Sequence, residues 1–375
     1  METLPVPLEV MVKIFTACAS ATTRLHPNVA PILLTRVCRE WRTVALSTPE
    51  LWMDLCVSPV VLGSEPVALA LKTYLASSNP LPAKLSLTAA TNDERLVEDD
   101  FVQYTLPVAR DSTNLTSLDI SVLKIVSTHQ QASPPATTTT SLPVPLPHLS
   151  TLRIDTEYFT SIARVIALLS VPNLTSLHLI RTNPAWSIRD QQYVSTFLTL
   201  IATVAPTLHT LELGFQLSWL SQDLQLALID IHALTSLTLH EVAYTTPEFM
   251  EKFTLTFSPD GSLVSGQNAG LKRLVIDMSH GVTDARWSDH EMYDMYMKQF
   301  FPAVVEMVLS RTKRLPRAAI DSGAARPLEY FGVGPHFAQA FRGEIEAEWD
   351  EVKRGWADLE GIVNFVERDT GCGCF

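Results

Sequence analysis

The sequence predicts an α/β protein in three parts: a small helical module over residues 1–56, a strand-and-return solenoid over 57–333, and an amphipathic helix with a tail over 334–375. Three observations lead there. Apolar residues at helical spacing crowd Leu4–Leu55. A phrase with the skeleton L-x-x-L-x-[LI] recurs between Leu115 and Ile276. Past Gly343, apolar residues alternate by steps of four and three.

In the stretch opening VPLEVMVKIF (Val6–Phe15), Val10, Met11, Ile14, Phe15 and Cys18 line one face of a short helix. Pro7 suits its first turn, where a missing N–H has no partner to lose, and Leu8 follows it. After a polar break around Thr22–Asn28 comes ILLTRVCREWRTVALSTPELW (Ile32–Trp52). There Leu34, Val37, Cys38, Trp41 and Ala45 form a second helical stripe, with Arg36, Arg39, Glu40 and Arg42 off it. Thr48-Pro49-Glu50 reads as an N-cap, a first-turn Pro and an acidic first turn for a brief helix through Leu51 and Trp52. A unit of about fifty residues cannot bury all this apolar surface by itself, so part of it is expected to wait for a partner.

The blocks VPLEVMVKIF, LLTRVCREWR and STPELW, in that order, resemble an F-box of the type common in large fungal F-box families. The resemblance covers about one seventh of the chain. It departs from the family in Val6-Pro7, where Leu-Pro is usual (Leu4-Pro5 stands one step back), and in the long polar break. It implies contact with a small Skp-type adaptor, and through it a cullin, by Pro7, Leu8, Val10, Met11, Ile14, Phe15, Leu34, Val37, Cys38, Trp41, Leu51 and Trp52.

Beyond the module, Val67–Ala76 reads as a helix and Leu81–Leu87 as a strand after the Asn79-Pro80 turn. The phrase then recurs as NLTSLDI, HLSTLRI, NLTSLHL, TLHTLEL, ALTSLTL and GLKRLVI, led by Leu115, Leu149, Leu174, Leu208, Leu234 and Leu271, with looser copies in Val305–Val308 and in 327–333. Phe159–Leu169, Tyr193–Val204 and Glu291–Phe301 are the expected return helices. One such unit cannot bury its apolar face, whereas stacked units share a core. The array resembles a degenerate leucine-rich repeat. It departs in holding Leu123, Glu157, Thr182, Gln216, Val242 and Ser279 where that family carries Asn or Cys, so irregular geometry is expected. Ser127–His148, rich in Pro, Thr and Ser, reads as an inserted mobile loop, and Ser258–Gly270 as a second loop.

Because side chains alternate along a strand, Asp119, Arg153, His178, Glu212, Thr238 and Val275 are expected to form an outward row. Arg153, His178 and Glu212 are its candidate substrate contacts. Trp186, Trp219 and Trp287 follow strands, as does Tyr244, and either line a binding edge or fold back to seal the core.

Past Gly343, Ile345, Trp349, Val352, Trp356, Leu359, Val363 and Val366 make a heptad stripe, with Gly355 and Gly361 as weak points. Such a helix either caps the last repeat or docks another chain.

The net charge of −12 lies wholly beyond residue 55. In 1–55, Lys13, Arg24, Arg36, Arg39 and Arg42 balance Glu2, Glu9, Glu40, Glu50 and Asp54. An acidic body disfavours nucleic acid. The N-terminus lacks the basic start of a secretory signal, and 191–211 reads as a buried helix rather than a membrane span, so a cytoplasmic or nuclear protein is expected. Five Cys make no disulfide framework, and Cys18 and Cys38 are expected to pack as small hydrophobes. Gly261 and Gly266 have P-loop spacing, but Gln267-Asn268 stand where Lys and Ser/Thr are needed. His290-Glu291 lacks the second His of a zinc-protease helix, and G-x-S-x-G is absent. His178 and His240 read as surface side chains on strands. Cys372 has the position of a prenylation site without its aliphatic pair. No cofactor, metal site or catalytic constellation is expected. The resemblance implies a substrate-recruiting subunit of a Skp–cullin–F-box ubiquitin ligase, with a non-ligase F-box scaffold as the alternative.

Overall fold

Each repeat phrase puts its second and third apolar anchors on one face of a strand and its first in the turn leading in, so neighbouring phrases are driven to line up their strands and share buried surface. A computed structural model describes residues 6–19, 23–57, 65–91, 106–124, 143–156, 165–181, 191–214, 227–240, 247–277, 300, 302–334 and 362–365. The chain forms two compact units, 1–174 and 175–375. Both are mixed α/β with mostly parallel sheets.

In the first unit, helices α1 (Leu8–Cys18), α2 (Leu34–Val37) and α3 (Arg39–Leu46) lead to a 3-10 turn at Pro49–Trp52, then α4 (Glu65–Ser77) and α5 (Leu106–Asp111). Strands β1 (Thr23–Arg24), β2 (Asp54–Val57), β3 (Ala83–Thr91) and β4 (Leu115–Lys124) pair in parallel. A parallel pair, β5 (Val144–Pro145) with β7 (Leu169–Ser170), stands apart, and β6 (Thr151–Thr156) pairs with β4. Residues 127–142 of the expected insertion and 159–164 of one expected return helix lie outside the described residues; the end of that insertion holds β5 instead of loop alone, and Leu169, the expected end of that helix, opens β7.

The second unit runs β8 (Ser176–Arg181), α6 (Gln191–Val204), β9 (Thr210–Gly214), β10 (Ser236–His240), α7 (Pro247–Phe253), β11 (Thr256–Phe257), β12 (Leu263–Ser265), β13 (Arg273–Asp277), α8 (302–310), α9 (Arg317–Asp321), β14 (Tyr330–Val333) and β15 (Val363–Phe365). Strands β8, β9, β10, β13, β14 and β15 pair in parallel in that order, and β11 with β12 makes an antiparallel hairpin.

All three anchors of every one of the six phrases are buried, none more than 3% exposed. The chain turns into each strand in a recurring way. The leading leucines Leu115, Leu149, Leu174, Leu234 and Leu271 each donate their N–H to the carbonyl three residues back, on Ser112, Leu146, Val171, Ile231 and Asn268. Just after the lead, one carbonyl takes the next strand's entry. Thr175 O accepts from His209 and Thr210 N, His209 O from Thr235 and Ser236 N, Thr235 O from Lys272 and Arg273 N, and Lys272 O from Glu329 and Tyr330 N. Hydroxyls reinforce this ladder where the phrase carries Ser or Thr: Ser150 Oγ donates to Thr116 O at 3.0 Å and Thr235 Oγ1 to His209 O at 3.0 Å. The repeats are thus stitched at the strand entrance. Of the positions where the family carries Asn or Cys, Leu123 lies in β4, and Glu157, Thr182, Gln216, Val242 and Ser279 lie outside the described residues.

Helix α6 follows from its sequence. Phe197, Leu200, Ile201 and Val204 are buried at helical spacing, while the exposed hydroxyls of Thr199 and Thr203 bond back to Ser195 and Thr199 carbonyls. Among the described residues no helix is long and apolar enough to cross a membrane.

Buried Arg311, just after α8, fastens the second unit. Its Nε donates to Phe253 O at 2.9 Å, and its terminal nitrogens to Asn268 O at 2.8 Å and Gln267 O at 2.5 Å. Burial pushes its guanidinium down to about 10.

Several expectations need correction. The second N-terminal stripe is not one helix: Cys38 is extended (φ −155°, ψ 173°) and splits it into α2 and α3. Thr48 does not cap by its side chain; its hydroxyl donates to Val44 O at 2.7 Å. Val305–Val308 is helical, within α8, because Val304, Val305, Met307 and Val308 are buried while Glu306 between them is exposed, a pattern that does not follow the two-residue period of a strand. Ser258–Gly270 contains β12 of the hairpin. Val363 belongs to a strand, β15, so the heptad helix does not reach it; Ile345–Leu359 and Val366 lie outside the described residues.

Candidate functional site

Two surfaces carry the sequence-derived candidates. In the helical module, Pro7 O accepts from Val10 and Met11 N and starts α1. Met11 and Phe15 turn inward, and the Phe15 ring meets Trp41 with centroids 5.0 Å apart. Cys38 Sγ accepts the Trp41 N–H at 3.4 Å, capping α3, and Arg42 Nε donates to Thr35 O at 2.7 Å, tying α3 to α2. Trp52 is fully buried; its Nε1–H donates to Ala45 O at 2.8 Å and its ring stacks on Tyr74 of α4.

This packing divides the candidate adaptor residues. Met11, Phe15, Leu34, Leu51 and Trp52 are core, and Trp41 is half-buried against Phe15. They shape the module and are not available as surface contacts. Pro7, Leu8, Val10, Ile14, Val37 and Cys38 are exposed, and so is Cys18, contrary to the expectation that both cysteines pack inward. Val6, Leu8, Val10 and Ile14 on α1 and its approach, with Leu33 and Val37 around α2, are 43% to 57% exposed. Large apolar side chains this open make these positions the candidate contact surface of the module.

The second surface is the outward row. Asp119 and Arg153 are register partners in the first unit, and Arg153 lies 3.9 Å from Asp155. In the second unit His178, Glu212, Thr238 and Val275 are successive register partners. Val275 is a correction: it shares the row's face by register but is buried, not open to solvent. Trp186, Trp219, Trp287 and Tyr244 lie outside the described residues.

His178 and Glu212 are joined to groups the sequence reading left apart. His178 Nδ1 lies 2.5 Å from Glu212 Oε2, and its Nε2 lies 2.7 Å from Ser176 Oγ. His240 Nε2 lies 3.0 Å from Glu212 Oε1. Burial would raise the Glu212 carboxyl, but the hydrogen bonds from His178 and His240 outweigh it and hold it far below the usual carboxylate range. A signal for the first pair was present: His178 and Glu212 occupy the same place in consecutive phrases, so stacking must set them side by side. His240 falls one residue past its phrase and joins diagonally. Among the described residues no group of three His, Cys, Asp or Glu is arranged to hold a metal ion.

No family model matches the chain, and no curated protein matches it.

Proposed function

We propose that this chain is a substrate-recruiting subunit of a Skp–cullin–F-box ubiquitin ligase, binding the adaptor through its N-terminal helices and a target protein through a leucine-rich-repeat-like array. The observation that carries the reading is the division of the module into a filled core around Phe15, Trp41 and Trp52 and an outward apolar stripe of Leu8, Val10, Ile14 and Val37. A monomer gains nothing by exposing that stripe, whereas an adaptor surface would remove it from water at about 25 cal/mol per Å². Burial of every repeat anchor and the stitched strand entrances support the array. On this reading the chain supplies proximity and orientation, and its partners carry out ubiquitin transfer.

Co-purification tests it. The intact chain should bring down a Skp-type adaptor together with a cullin, and a chain lacking residues 1–56 should bring down neither. Adaptor without cullin would favour the non-ligase scaffold, and loss of both from the intact chain would refute the reading.

A further inference from the structure

A histidine hydrogen-bonded to a serine hydroxyl at one nitrogen and a carboxylate at the other is the arrangement that activates a nucleophile. Ser176 Oγ, His178 and Glu212 make that chain on β8 and β9, with separations of 2.7 Å and 2.5 Å. We propose that Ser176, His178 and Glu212 form a nucleophilic site for acyl transfer from carboxylic esters, a capacity separate from adaptor binding.

The protonation pattern follows from the partners. An ionised Glu212 can only accept, so His178 Nδ1 carries the proton that faces it. His178 Nε2 is then the acceptor, and the Ser176 hydroxyl donates to it. His240 fills the other carboxylate oxygen at 3.0 Å and fixes the plane of Glu212. The anion is therefore pinned in the orientation that steadies an imidazolium.

Access is suited to the step. Leu177, Leu179, Leu211 and Leu213 point into the core, so Ser176, His178 and Glu212 share the opposite side of the sheet. The side chains of His178 and Glu212 are 22% and 21% exposed, open to a small acyl group yet partly shielded from water. Thr210 and Ser236 stand in register with Ser176 on β9 and β10, and their hydroxyls make no hydrogen bond among the described residues. They are the donors available to a developing oxyanion, since the strand amides are spent in the ladder.

In the reaction, Ser176 Oγ forms a bond to the ester carbonyl carbon and its proton passes to His178 Nε2. Collapse of the adduct breaks the carbon–oxygen bond to the leaving group, which takes that proton and departs as an alcohol. Water then attacks the acyl-serine by the same route, releasing a carboxylic acid and restoring Ser176.

The test uses the full chain, a fluorophosphonate probe and p-nitrophenyl acetate. Peptide mass spectrometry should find the probe on Ser176 in preference to Ser236 and the exposed Ser195. Ser176→Ala should abolish specific labelling. His178→Gln and Glu212→Gln should each lower ester hydrolysis by at least about 100-fold, as expected for loss of a general base or its orienting group. Labelling of the unaltered chain no greater at Ser176 than at Ser236 would overturn the proposal without relying on any variant's folding. So would a folded Ser176→Ala chain that retains the full rate.

Discussion

Trp52 lies flat against Tyr74, with ring centroids 4.5 Å apart and planes 4° from parallel. The contact joins the 3-10 turn of the helical module to α4, and the Trp52 N–H to Ala45 O ties the same ring to α3. Removing the ring opens a cavity at a three-way junction. Trp52→Ala is expected to cost about 3–5 kcal/mol, read as a fall in the urea midpoint. Trp52→Phe should cost less, since it keeps most of the stack and loses the hydrogen bond. Equal midpoints for Trp52→Ala and the unaltered chain would show that the ring does not hold the junction.

Arg311 is the only residue that reaches Phe253, Gln267 and Asn268 carbonyls at once among the described contacts. An Arg311→Met side chain fills similar volume but takes a donor from three carbonyls, of which Asn268 O keeps the Leu271 N–H; a buried acceptor left unsatisfied costs about 1–3 kcal/mol. Strong destabilisation is expected, with Arg311→Lys intermediate because one ammonium cannot reproduce the planar fork. Chemical denaturation of the three proteins checks the order.

Glu212 gives a pH dependence of known sign. Its folded pKa is depressed below the ordinary glutamate value of 4.5, so its contribution to stability is fully present above that value. That contribution drains away as pH falls below it towards the folded value. Melting temperature should therefore drop more steeply between about pH 4.5 and 3 in the unaltered chain than in Glu212→Gln. Parallel curves would mean that the two histidines do not hold the carboxylate ionised.

Gly266 has φ +104°, and a Cβ there would run into Thr254 O and the Leu255 side chain. Gly266→Ala combines a disfavoured backbone with a backbone clash, and a cost of about 1–3 kcal/mol is expected. The nearby control Gly270→Ala meets nothing within 4 Å and should be close to neutral. Differential scanning calorimetry of the pair separates them.

Much of the fold was legible because one physical rule repeats. Leu118 and Ile120 belong on one side of a strand, Leu115 leads in from the turn, and the same spacing returns in each phrase, so every anchor fell in the core. α6 was readable for the same reason at the helical period. What escaped depends on backbone geometry or distant partners. The extended Cys38 interrupts an apolar stripe that is continuous in sequence. Arg311 stands between Ser310 and Thr312 and finds its acceptors on segments more than 40 residues away. The stitching at strand entrances runs through main-chain carbonyls, which no side-chain pattern announces. In the candidate adaptor set, spacing alone could not separate core from surface: Met11 and Val10 are neighbours on the same stripe, yet one is buried and the other open.

The outward stripe of α1 gives the most direct test of the adaptor reading. Val10→Asp with Ile14→Asp changes two exposed side chains, so thermal melting should stay close to that of the unaltered chain. If both side chains are buried against the adaptor, each contributes about 1.5–3 kcal/mol. Isothermal titration with a purified Skp-type adaptor should then show affinity weakened by at least about 100-fold. Undiminished affinity in the folded double variant, or no binding by the unaltered chain, would contradict the account.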